Sequence, residues 1–155
     1  MKPGSIPPTE NPVIKRLIVI SLVCVTAMTS CGEDQETRAL CSYAAELESS
    51  LVATGVAIDG FSTISPRQLQ STIAVLTGTL SIMTDMAPSS VKSDIEQTKR
   101  AYDELAVALQ NVYWDGTVAE TDQNVQNATE NLARNDNIEA LDSLREFLSI
   151  ECKVE

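Results

Sequence analysis

Four thiols, at Cys24, Cys31, Cys41 and Cys152, and no histidine in 155 residues set the chemistry open to this chain. Without an imidazole there can be no histidine-based nucleophile triad, no histidine zinc site and no Glu-x-x-His di-metal bundle. Two carboxyl groups alone can run glycoside hydrolysis. Asp94, Glu96, Asp103, Glu104, Asp142 and Glu146 are available, but they fall mostly on polar helix faces and no spacing selects a pair. Met83 and Met86 offer thioether sulfur, which copper accepts, but no third soft ligand lies nearby and core packing is the expected role. Asn127-Ala128-Thr129 matches a glycosylation acceptor and is given no function. The expectation is therefore a protein that is not an enzyme and carries no cofactor or metal. The thiols are left.

Lys15 and Arg16 precede thirteen uncharged residues, 17–29, dominated by Leu, Ile and Val. A spanning helix needs about 20 apolar residues, so this run reads as the centre of an export signal. Met28, Thr29 and Ser30 then lead into Cys31. Residues 15–32 resemble the lipobox-type signal peptide of bacterial lipoproteins: an apolar residue, a small or branched one, a small one, then cysteine. Met28 stands where leucine is usual. The resemblance implies a diacylglyceryl group on the Cys31 sulfur, cleavage before that residue, and often an acyl chain on the new amino group. Two or three chains, at about 0.8 kcal/mol per buried methylene, make a stable anchor. A plain cleavable signal and an uncleaved apolar tether are the competing readings. Cys24 is a poorer candidate, because bulky Val23 precedes it. Residues 1–12 carry four prolines and Glu10, odd for a signal start, which suggests translation from Val13.

These features divide the chain into a signal peptide (1–30), an acidic tether after Cys31 (31–36) and a helical domain (37–155). Residues 31–155 lack three of the 11 basic residues (Lys2, Lys15, Arg16) and one of the 22 acidic ones (Glu10), so their net charge is −13. That charge repels nucleic acid and anionic headgroups, and Glu33, Asp34 and Glu36 hold the domain off a bilayer. In an exported domain the two remaining cysteines, Cys41 and Cys152, are expected to form a structural disulfide.

Helical periodicity runs through the rest. Leu40, Ala44, Leu47, Leu51, Thr54 and Ile58 form one stripe; Leu69, Ile73, Leu76, Leu80 and Met83 form a second. Val91, Ile95, Thr98, Tyr102, Leu105, Leu109 and Val112 form a third, and Val118, Thr121, Val125, Ala128 and Leu132 a fourth. Ser65-Pro66 with Gln68 predicts a helix start, and Ala87-Pro88 a break. Asp115-Gly116 predicts the end of the third helix, and Thr117 with Glu120 a capping box. Ile138, Leu141, Leu144 and Leu148 are out of phase with Leu132, so the last helix is kinked or split near residue 135. The fold class is all-α, an up-down four-helix bundle, because only an even number of rods brings Cys41 within the 7 Å or so that a disulfide needs of Cys152.

Met86-Ala87-Pro88, Tyr102-Asp103-Glu104-Leu105 and the C-terminal Cys152 resemble small, helical, cysteine-bridged proteins exported by actinobacteria, which implies architecture alone. The functional expectation is a lipid-anchored, extracytoplasmic interaction module of the bacterial cell envelope, with membrane and envelope protein as partners. Trp114 and its neighbour Tyr113 are the candidate partner-binding residues, although a tryptophan at a helix end more often caps the bundle. The alternative is a carrier or sensor that holds a small apolar or lipid ligand between helices, where Ala74, Gly78, Ala106 and Ala108 leave room. Thr54, Thr98 and Thr121 are expected to bond a carbonyl one turn back, or together to line a small polar cavity.

Overall fold

The apolar stripes of the second, third and fourth helices each bury one helix face, and the resulting architecture is all-helical. The computed structural model describes residues 35–152; helices account for 84% of these and no strand occurs among them. The signal segment, Cys31 and most of the acidic tether lie outside the described residues. Helix α1 covers residues 35–41, so Glu36 is already helical. It is followed by α2 (Ala44–Asp59), a short 3-10 turn (Phe61–Thr63), α3 (Pro66–Met86) and α4 (Lys92–Asn111). Then come α5 (Gly116–Ala119), α6 (Gln123–Leu132) and α7 (Asn135–Cys152).

The core falls into two apolar clusters. The first joins Leu40, Leu47 and Leu51 to Leu76, Leu80 and Met83, to Val91 and Ile95, and to Leu144 and Leu148. The second joins Ala57 and Phe61 to Leu69 and Ile73, to Leu105 and Leu109, and to Ala119, Val125 and Ala128. The start of α2 thus shares a cluster with the end of α3, and the end of α3 with the start of α4. Neighbours among α2, α3 and α4 therefore run antiparallel. The five residues of the α3 stripe are fully buried, and each side chain stabilises the fold by about 1.5–3 kcal/mol on transfer from water.

Between the clusters the buried residues are small or polar: Ser50 and Thr54 on α2, Thr98 and Ala101 on α4, Asn137 and Ala140 on α7. Neither the Thr54 nor the Thr98 hydroxyl has a hydrogen-bond partner in the protein. The expected bond to the preceding turn is made instead by Thr77, Thr79, Thr84 and Thr129. Thr121 lies at the surface and donates to the carbonyl of Val118, so the three threonines do not meet.

The helix ends explain where the sequence reading succeeds and where it slips. Ser65 caps α3 by accepting from the Gln68 N–H, with Pro66 in the first turn. By contrast, α4 ends before Asp115. The N–H of Trp114 donates to the Leu109 carbonyl, and that of Tyr113 to Gln110. This is a Schellman closure with tyrosine, not glycine, at the left-handed position. Asp115 then caps α5, accepting from Thr117 and Val118 N–H, and Asp122 caps α6 through Asn124 and Val125. Glu120, expected to complete a capping box, accepts from the backbone N–H of Ser62 instead. Because α6 begins only at Gln123, Val118 and Thr121 drop off the core stripe and Ala119 replaces them.

Gly116 is demanded by close approach. A Cβ there would lie 1.7 Å from the Phe61 carbonyl oxygen, since α5 crosses the 3-10 turn backbone to backbone. Gly116→Ala should therefore cost about 3 kcal/mol or more, as overpacking against backbone does, and a thermal melt against the parent protein measures it.

Cys41 and Cys152 are joined, with Cα atoms 5.2 Å apart across 111 residues of sequence. Closing so long a loop restricts the unfolded chain by about 4–5 kcal/mol in the chain-entropy description. Reduction should lower the denaturant midpoint accordingly while leaving the helical circular-dichroism signal of the folded state in place.

Candidate functional site

Two surfaces hold what the sequence singled out or missed. The first is the turn after α4. Tyr113 and Trp114 both have left-handed backbone, φ 56° and 61°. For residues with a bulky Cβ this conformation costs on the order of 1 kcal/mol each. Trp114 is half-buried and packs against the second apolar cluster, so it is partly the bundle-end cap. Tyr113 is 87% exposed. The core gains almost nothing from its ring, and the backbone under it would be easier for glycine. Cys152, in contrast, packs against the first cluster, so the bridge and the aromatic turn are not one site.

The second surface is a groove between α4, α6 and α7, with a volume of about 940 Å³. Its wall is rich in amides, and one buried amide organises it. The Gln97 side-chain amide donates to Asn137 Oδ1 at 2.5 Å. Asn137 Nδ2 donates to the Asn131 carbonyl at 2.6 Å, and Asn131 Nδ2 to Glu104 Oε2 at 2.5 Å. Donation runs in one direction through three amides and ends on an acceptor-only carboxylate.

The chain of amides also accounts for the break in the last helix. At the end of α6 the carbonyl of Asn131 accepts from the Arg134 N–H, and Asn137, in the first turn of α7, adds a second donor. Asn137 is therefore buried, while Ile138 is largely exposed. The expected stripe from Ile138 is displaced by one residue in its first turn and recovers at Leu144 and Leu148. Sequence reasoning missed Asn137 because it seated apolar residues inward. Asn124, Asn127 and Asn131, spaced 3 and 4 apart in a ten-residue helix, were the available signal, since asparagine is a poor helix former.

The carboxylates are spread over the surface. Asp103 pairs with Lys99, Asp136 with Arg134, and Glu48 with Arg145 across from α2 to α7. These are partly exposed pairs, each contributing under about 1 kcal/mol. Among the described residues no three acidic or cysteine side chains converge as metal ligands. Burial raises the Tyr102 phenol above its ordinary value of 10.0, with Arg145 acting in the opposite direction. Met83 is in the core, and Met86 packs at its edge. Ala74 and Gly78 face outward from α3, not between helices, whereas Ala108 is buried.

No family model, no curated protein and no solved structure matches this chain.

Asn137→Ala should destabilise by about 1–3 kcal/mol, because it leaves the Gln97 amide without its partner and removes one of the donors to the Asn131 carbonyl. Chemical denaturation measures the loss, and amide exchange should quicken first at the end of α6.

Proposed function

We propose that this protein is a lipid-anchored, non-enzymatic interaction module on the extracytoplasmic face of a bacterial membrane, and that Tyr113 and Trp114 are its partner contact. The lipobox-like run ending at Cys31 supports the anchor. The disulfide supports export, because such bridges persist in oxidising compartments. Among the described residues no helix is long and apolar enough to cross a membrane. The anchor would then be the acyl chains on Cys31.

The domain is read as an up-down four-helix bundle in which α6 and α7 together make the fourth rod. Both apolar clusters contain residues from α2, α3, α4 and this last rod, and the bridge ties the two ends of the domain. The observation that carries the functional reading is Tyr113. An aromatic ring 87% exposed on a left-handed backbone contributes little to the fold, and amphipathic aromatics of this kind are common interface anchors. A carrier for a small apolar or lipid ligand is less well supported, since the 940 Å³ groove is walled by amides and charges such as Gln97, Asn131, Arg100 and Glu104.

The test is recovery of the protein from membranes with mass spectrometry of what comes with it. Cys31 should carry a diacylglyceryl group, and Cys31→Ser should move the chain out of the membrane fraction. Tyr113→Gly should hold or raise thermal stability, by up to about 1 kcal/mol, while losing the co-purified protein. Trp114→Ala should lose both. A bare Cys31 thiol overturns the anchor, and a partner retained by Tyr113→Gly overturns the contact.

A further inference from the structure

Residues 35–152 contain six asparagines, and five of them, Asn111, Asn124, Asn127, Asn131 and Asn137, line the groove between α4, α6 and α7. The fold accounts for two, since Asn131 and Asn137 belong to the amide relay. The side chains of Asn111 and Asn124 make no hydrogen bond among the described residues, and Asn127 only accepts one, from Gln123. Asparagine weakens a helix relative to alanine. Asn124 and Asn127 are therefore unfavourable in α6, and its own packing draws nothing from them.

Along this groove α6 and the start of α7 pass α4 in the opposite direction: Asn131 reaches Glu104, and Asn137, further on, reaches Gln97. The same register sets Asn124 across from Asn111 and Asn127 across from Ala108. At one end the amides are bonded to each other or to Glu104. At the other, carboxamides stand on both walls with donors and acceptors unused. Ala108 and Ala128 between them are small and buried. The charges of the groove leave little net field: Arg134 pairs with Asp136, Glu104 holds Asn131, and Arg100 and Glu130 are opposite in sign.

We propose that the open end of this groove binds an uncharged, extended peptide segment by its main chain. An extended strand turns N–H and C=O groups to both of its edges, and a carboxamide answers them with a donor and an acceptor at once. Asn111 on α4 faces one edge, and Asn124 and Asn127 on α6 face the other. A sugar ring would offer an apolar face, and no aromatic ring lines the groove to receive it. From Asn124 to Asn131 the rise along α6 is about 10 Å, the reach of about three extended residues. The contact is therefore short and weak, and tolerant of sequence where side chains are small. It does not depend on the aromatic contact at Tyr113.

The test follows the side-chain amide resonances of Asn111, Asn124 and Asn127 in the isotopically labelled full chain. The probe is a tetrapeptide of alternating alanine and serine, capped at both ends. The shifts should saturate with a dissociation constant of about 1–10 mM. Methylating the main-chain nitrogens of the peptide removes its donors and should weaken binding by about tenfold or more. Asn124→Ala should weaken it by about tenfold while the thermal melt holds or rises, since alanine is the better helix former. Asn111→Ala is the second variant, with the same expected loss. Gln110→Ala, a carboxamide on α4 that does not line the groove, should change binding less than about twofold. Shifts that fail to saturate, equal binding of the methylated peptide, unchanged binding by both asparagine variants, or saturation by maltotetraose alone would each overturn the proposal.

Discussion

A covalent bond between residues 41 and 152 obliges the helical chain to finish where it started. A helix of 18 residues is about 27 Å long, so an odd number of full-length rods would leave those sulfurs far apart. α6 and α7 both pack on α4. Both apolar clusters contain residues of α2, α3 and α4, the first together with α7 and the second with α6. Between α6 and α7 the Asn131 carbonyl accepts from the Arg134 N–H and from the Asn137 side-chain amide, which is brought inside to reach it.

That requirement shapes the core. A bundle assembled only from leucine layers would have one continuous apolar interior. Here the interior is interrupted by Thr54, Thr98, Ala101, Asn137 and Ala140, and two of those hydroxyls have no partner in the protein. Each such group costs on the order of 1–3 kcal/mol when desolvated unpaired. The two clusters must supply the stability that the middle does not, and the disulfide adds to the cluster that contains Cys152.

What the sequence disclosed and what it hid follow from the range of the forces involved. The α3 stripe from Leu69 to Met83 and the Ser65-Pro66 start were legible because periodicity and capping are local, decided within about four residues. The register of α7 was not, because it depends on the carbonyl of Asn131 in another helix. The end of α4 was misplaced for a related reason: glycine usually marks a left-handed closure, and Gly116 drew the boundary, but its real task is set by Phe61, 55 positions earlier. Of the candidate site, the aromatic pair and the two bridging cysteines were visible as residue types. The amide relay through Gln97, Asn137 and Asn131 was not, since hydrogen bonds between helices leave no periodic trace.

The crossing at Gly116 has a mechanical consequence. Because α5 rests directly on the peptide groups of the 3-10 turn, with the Glu120 carboxylate holding the Ser62 amide, the loops closing α2 and α4 move as a single plate. Tyr113 stands three residues from that plate's contact point. A force applied to its ring is therefore delivered to Phe61 and to the far end of α2, so whatever grips this aromatic takes hold of two helices at once.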